Sequence, residues 1–340
     1  MSNTAATEKP TETQAKPITI LQALNSGLAD AMEADDKVLV FGEDVADPEG
    51  GGVVGVTRGL SDRFGNERVR STPIAEQAII GAAIGASLVG YKPVAEIMLM
   101  NFTTVAMDMI VNHAAKLRFM WGGQTHVPIV IRTMTGTGFG SGGQHCDYLE
   151  AWFAHTAGMK VVAPSNPADA YGLMRAAIND PDPVLFIENL PAYWTPGEAP
   201  AKGHVVQLGK ARIAKEGSDV TIVSYSRMMS EALTAVAEME AAGVSAEIID
   251  LRTVSPWDKA TVLASVAKTG RCLIVHEAVT QFGVGAEIAA TLSHDLFGQL
   301  KKPVERLGAP YAPVPFSKPL ETAYTPDAKR IAVAAIALAK

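Results

Sequence analysis

Two segments carry side chains whose types and spacing suit chemistry. The first, "STPIAEQAIIGAAIGASLVGY", holds a lone carboxylate, Glu76, among residues that are otherwise apolar or small. A helix of that composition reads as buried on nearly every face. An ionised carboxylate inside it is costly unless something pairs with it. Thr72 reads as the N-cap and Pro73 as the first helical residue. That register puts Glu76 one position beyond a capping-box glutamate. Three roles stay open: a charge favourably placed at the helix N-terminus, worth about 0.3–1 kcal/mol; an ion pair with Arg68 or Arg70; or an acid/base group aimed at a ligand.

The second segment, "GTGFGSGGQHCDYLEAWFAHT", runs from Gly136 to Thr156 and places His145 between a glycine-rich run and an apolar, helix-like stretch. Gly138 to Gly143 reads G-x-G-x-x-G. A dinucleotide loop needs a strand running straight into the glycines, a helix directly after them, and a second strand ending in Asp or Glu. Here "VPIVIRT" stops several residues before Gly138, and the next strand, "MKVVAPS", ends in Ser165. Both facts argue against a dinucleotide, and the absence of G-x-x-x-x-G-K-[ST] excludes a P-loop. His145 is then either an acid/base group held over a cofactor or an ordinary loop residue.

The elements that must position these groups alternate. "KVLVFGEDV", "KPVAEIML", "VPIVIRT", "MKVVAPS" and "PVLFIEN" are short, nearly continuous apolar runs. Between them lie helical stretches, among them about 103–120 and one opening at "NPADAYGLMRAA" with Asn166 as N-cap and Pro167 behind it. Such runs predict buried parallel strands in a layered α/β domain. "LPAYWTPGEAPAKGH" then reads as a linker, rich in proline and without apolar period. Alternation resumes through "DVTIVSYS", a helix across "MMSEALTAVAEMEAAG" closed by Gly243, "AEIIDLRT", a helix over about 258–268, "CLIVHEAV" and "VERLGAP". The expected organisation is a disordered tail over residues 1–16, a first α/β domain over 17–190, a linker over 191–204 and a second α/β domain over 205–340.

Composition narrows the function classes. Of 340 residues, 48% are hydrophobic and 19% charged, enough to bury large cores. A net charge of −7 argues against nucleic acid or an acidic membrane surface as partner. Two cysteines, Cys146 and Cys272, form no disulfide framework or metal motif, as expected in a reducing cytoplasm. No apolar run reaches the roughly 18–20 residues that span a bilayer.

The order of the segments "TPIAEQAIIGAAIGA", "AEIMLMNFTTVAMDMIVNHAAKLRFMWGG", "PIVIRTMTGTG", "GGQHCDYLEAWFAH", "GMKVVAPSNPADAYGLMRAAINDPDPVLFIE" and "EIIDLRTVSPWD" resembles the β subunit of thiamine-diphosphate-dependent 2-oxo acid dehydrogenases. These are the transketolase-like E1 components of pyruvate, acetoin and branched-chain complexes, and the resemblance runs from about Ile18 to the C-terminus. It implies a pyrimidine-binding domain followed by a transketolase C-terminal domain. Glu76 falls on the glutamate that activates the cofactor through its pyrimidine N1′. Phe102 and Ile74 fall beside the pyrimidine ring, and His145 falls on the active-site histidine at the substrate end. Ile129, Ala177, Ile178, Asp180 and Asp182 fall on a monovalent-cation loop, possible seat of K⁺, bound largely through backbone oxygens. Cys146, Asp147 and Asp182 depart from the family's Ser, Gln and Asn.

The implied reaction decarboxylates a 2-oxo acid, pyruvate-type favoured over acetoin or branched-chain types, and passes the acyl unit to a lipoyl group. The implied partners are an α subunit, in an α₂β₂ heterotetramer, and the E2 lipoyl acyltransferase. A docking subunit without catalysis and a nicotinamide oxidoreductase are the contrasting readings. The family holds the cofactor diphosphate and Mg²⁺ on the α subunit with a Gly-Asp-Gly motif, and no such triplet occurs here. The expectation is therefore half a site.

Overall fold

Buried β-branched runs organise two sheets. A computed structural model describes residues 16–340; the tail assigned to residues 1–16 lies outside them, apart from Lys16. The first sheet orders seven strands as Thr253–Ser255, Lys160–Val162, Val184–Asn189, Val130–Thr135, Lys92–Leu99, Val38–Gly42 and Val69–Ser71. All neighbours are parallel except the first pair. Every residue of Val130–Thr135 and Val184–Asn189 is buried, as expected where helices cover both faces. Ile20–Ala34, a helix the apolar alternation did not single out, begins in a Thr19–Gln22 capping box and packs on Pro167–Ile178.

The second sheet orders five strands as Glu305–Ala309, Cys272–Val279, Val220–Ser224, Ala246–Asp250 and Arg212–Lys215, the last antiparallel. Helices Met228–Thr234, Val236–Ala241 and Ala328–Ala339 cover one face of it. One buried apolar cluster runs from Ile80 and Ile131 of the first unit to Val223, Ile249 and Ile274 of the second. The strand Thr253–Ser255, late in the chain, completes the first sheet.

Several boundaries differ from expectation. The stretch 103–120 is not one helix: a 3₁₀ turn, Met100–Thr104, leads to a π-helical segment, Met109–Ala114, and a short helix, Leu117–Met120. Thr103 and Thr104 donate their hydroxyls to the Met100 and Asn101 carbonyls, the local competition that disfavours a regular helix start. The run closed by Gly243 is interrupted at Ala235. The stretch 191–204 holds a 3₁₀ turn, Pro191–Trp194, and a strand, Pro196–Gly197, paired with Ile18–Thr19. Asn166 caps Pro167–Ile178 as expected, accepting from Asp169 N.

Candidate active site

Parallel sheets place ligand-binding loops at the carboxyl ends of their strands. Four adjacent strands of the first sheet do so here. Val38–Gly42 leads directly into Glu43, and Val69–Ser71 leads through Pro73 to Glu76. Lys92–Leu99 leads to Asn101 and Phe102, and Val130–Thr135 leads into the glycine run and His145.

Glu76 is the first residue of its helix, Glu76–Leu88, with Ala75 as N-cap. The expected start at Thr72 is corrected. Thr72 N–H donates to the Gly42 carbonyl, extending the strand pairing, and its hydroxyl bonds the Pro73 carbonyl instead of capping. The helix is also not buried all round: Glu76, Ile79, Ile80, Ala83, Ile84 and Ser87 face inward, while Ala78, Ala82, Gly85 and Leu88 are exposed. Glu76 itself is buried. Arg68 is not its partner, since the guanidinium donates to the carbonyls of Met32, Asp35 and Val38. Among the described residues, neither Glu76 nor Glu43 has a cationic side chain within ion-pair distance.

Glu43 was not singled out in the sequence. It is buried, and its Oε1 has no partner. Burial, and then the neighbouring Glu76 charge, hold its carboxyl above the usual range, against a hydrogen bond from Ala75 N–H. The only signal was its place at the end of an apolar run, in "VFGED". Behind it Arg132 grips Glu188 through two bonds of 2.7 Å and also reaches Glu96. That triad leaves one buried carboxylate in excess of its cation.

Phe102 and His145 meet edge-on, with ring centroids 5.7 Å apart and planes 72° apart. Both are half-buried, and His145 Nδ1 is buried without a partner. Ile74 is 82% exposed, so it contacts nothing that would cover it within this chain. Asn101 ties the loop down: its amide donates to the Gly143 carbonyl and to Asp147, both at 2.9 Å. The helix beyond His145 begins only at Glu150, so its N-terminus does not serve the glycine run.

Ile129, Ala177, Ile178, Asp180 and Asp182 come together at the other, amino end of the strands. Lys160 Nζ lies 2.6 and 2.8 Å from the Asp180 oxygens and 3.2 Å from Asp182, and Arg118 lies 2.6 Å from Asp182. The Ile129 and Ala177 carbonyls accept from Val184 and Asp180 N–H. Lys160 and Arg118 already engage both carboxylates, so a further cation there would rest on main-chain oxygen.

Glu150 sits just past the His145 loop, fully buried, accepting 2.6 Å from the Tyr225 hydroxyl. Burial pushes its carboxyl up to about 7. The folded chain therefore holds a proton that the unfolded chain releases near 4.5, so this stability is present below 4.5 and is lost as pH rises through 7. Glu150→Gln is expected to remove that pH dependence and to stabilise the chain at pH 8 by about 1–3 kcal/mol. Unfolding midpoints at pH 5.5 and 8 check it; an unchanged slope in the variant would sink the assignment.

Comparison with known proteins identifies the two domains and the family. The family described as "Transketolase, pyrimidine binding domain" matches residues 16–194, and "Transketolase, C-terminal domain" matches 209–331. The chain is 43% identical over 329 residues to the acetoin:2,6-dichlorophenolindophenol oxidoreductase β subunit of Cupriavidus necator, covering 94% of this chain and 97% of that protein. It is 43% identical over 321 residues to a mitochondrial pyruvate dehydrogenase E1 component β subunit of Arabidopsis thaliana, covering 93% of this chain and 88% of that protein. In structure it resembles a split-gene transketolase described as an inactive β₄ tetramer, with a TM-score of 0.78 at 23% identity, covering 95% of this chain and 99% of that one. The chain belongs to the transketolase-fold family of E1 component β subunits, in which a pyrimidine-binding domain precedes a transketolase C-terminal domain.

Proposed function

We propose that this chain is the β subunit of a 2-oxo acid dehydrogenase. With an α subunit it decarboxylates a 2-oxo acid, pyruvate-type favoured, and hands the acyl unit to the lipoyl group of an acyltransferase. The observation that carries the reading is the pair Glu43 and Glu76, buried at the carboxyl ends of adjacent strands with no cationic side chain within ion-pair distance among the described residues, at the same end of the sheet as Phe102 and His145. Carboxylates so placed call for a donor from outside the chain. A pyrimidine ring with a protonated nitrogen is such a donor. Thiamine diphosphate, when bound, would supply a nucleophilic carbon for a substrate carbonyl and a thiazolium ring able to serve as electron sink for decarboxylation.

The chain's own residues do the rest. Glu76 holds the hydrogen bond at pyrimidine N1′, strengthened by burial. Phe102 and Ile74 offer apolar surface to the ring. His145, with one ring nitrogen lacking a protein partner, orients substrate or lipoyl arm and donates a proton as charge develops. Mg²⁺ and the diphosphate belong to the α subunit in this reading. K⁺, where present, rests on the carbonyls around Ile129, Ala177 and Ile178, with Asp180 and Asp182 nearby. The domain boundary falls within 191–204, and the working assembly is a cytoplasmic α₂β₂ heterotetramer that delivers to the E2 lipoyl acyltransferase.

Acetoin as substrate is the second reading, supported by relatives named for acetoin at 43% and 41% identity. The test is the complex reconstituted with its α subunit, thiamine diphosphate and Mg²⁺, given pyruvate, acetoin and branched-chain 2-oxo acids. Pyruvate is expected to give the highest kcat/KM. Acetoin turned over faster transfers the reading to the acetoin class, and no turnover of any of them removes it.

A further inference from the structure

The glycine run before His145 is a cradle of backbone donors that the chain itself fills. Gly136, Gly138, Gly140 and Gly142 all have positive φ, between 67° and 127°, a backbone that aims successive N–H groups inward. Gly138 N–H donates to Glu321 Oε1 at 2.6 Å, and Gly140 N–H donates to both Glu321 oxygens at 3.2 Å. The Thr137 N–H and hydroxyl donate to Glu277 Oε1 at 2.7 and 2.8 Å. Both carboxylates are buried, Glu321 at 3% exposure and Glu277 at 5%, and both come from the second unit. Bonds of this kind, from backbone N–H to a desolvated carboxylate, are among the stronger ones available.

The surroundings reinforce the grip. Asn189 donates to the other Glu277 oxygen at 2.9 Å, and Arg227 donates to the Thr137 carbonyl at 3.0 Å. A Cβ at Gly142 would fall 2.4 Å from the Phe316 ring, and its φ of 73° favours glycine there. Beyond His145, Cys146 packs on Ala309, Val314 and Tyr324. The loop carrying His145 is thus seated on the second unit before and after the histidine.

We propose that Glu321, with Glu277 beside it, is a positioning residue for His145. The second domain supplies the anion for which the glycine nest is shaped, and so fixes the loop that presents His145 to Phe102. The inference rests on the reading of His145 as the substrate-end group. It also explains why a G-x-G-x-x-G run serves no nucleotide here: its donors at Gly138 and Gly140 are already committed. A misplacement of about 1 Å at a reacting group costs on the order of 100-fold in rate, so loosening this seat reaches the chemistry without touching substrate.

Glu321→Ala and Glu321→Gln test it, each alone and combined with His145→Ala, in the complex reconstituted with its α subunit. In Glu321→Ala, hydrogen exchange at the amides of 137–145 is expected to rise roughly tenfold or more. Turnover should fall about 30-fold, with thiamine diphosphate affinity within about threefold. On the His145→Ala background the same change should cost under about threefold, because both act through one group. Glu321→Gln keeps an acceptor oxygen and is expected to recover most of the loss, which keeps the test valid if the alanine variant does not fold. Unchanged exchange overturns the proposal, and so does an equal loss of turnover on both backgrounds. If His145→Ala is itself silent, the reading of His145 falls and the proposal with it; the exchange data alone then tell that failure from failure of the seat.

Discussion

Glu76→Gln, in the reconstituted complex, is expected to slow proton–deuteron exchange at the thiazolium carbon of thiamine diphosphate by about 10²–10⁴-fold. Folding should be nearly unaffected. Gln keeps the volume, and the position is the first of a helix, where no intrahelical bond is lost. What it loses is the capacity to share a proton with the pyrimidine nitrogen. The neighbouring carboxyl does not replace it. Glu43 leaves a different strand, Val38–Gly42, and already takes a hydrogen bond from the Ala75 N–H, so it is not placed to take over the same nitrogen. Near-normal exchange in the variant defeats the role given to Glu76, whatever the overall turnover.

How legible this site was in the sequence depended on whether the controlling contact was local. Glu76 stood out because a lone carboxylate in an apolar stretch is a local anomaly. Its helix register did not, because Thr72 and Pro73 satisfy the capping rule while Thr72 is committed to Gly42 across the sheet. The strands were readable as apolar runs, since both faces are covered. Short edge pieces such as Val69–Ser71 and Thr253–Ser255 exist only through pairing and carry no pattern of their own. Glu43 reads as an ordinary loop acid until a neighbouring strand brings Glu76 against it. The clamp on the glycine run joins residues 140 and 183 positions apart in sequence, beyond the reach of any window. The His145 role came from the family resemblance, since spacing alone left it open.

The chain by itself is expected to bind thiamine diphosphate weakly and to turn over no 2-oxo acid, with activity appearing on addition of the α subunit. A diphosphate concentrates negative charge, and holding it takes a divalent metal or converging donors. Among the described residues no cluster of three or more metal-ligating side chains occurs. The glycine run that could have offered backbone donors spends Gly138 and Gly140 on Glu321. The carboxylates facing the site, Glu43 and Glu76, add repulsion toward an anion. What this chain offers is instead suited to the other end of the cofactor: buried acceptors at Glu43 and Glu76, and apolar surface at Phe102 and Ile74. The surface points the same way. Ile74, Phe119, Met120 and Trp121 are all more than half exposed, Phe119 at 89%, and apolar area of that kind is normally covered by a partner. Size-exclusion and rate measurements with and without the α subunit check the prediction. Assembly to an α₂β₂ species should coincide with the onset of decarboxylation, whereas full decarboxylase activity from the β chain alone would mean that it holds a complete site.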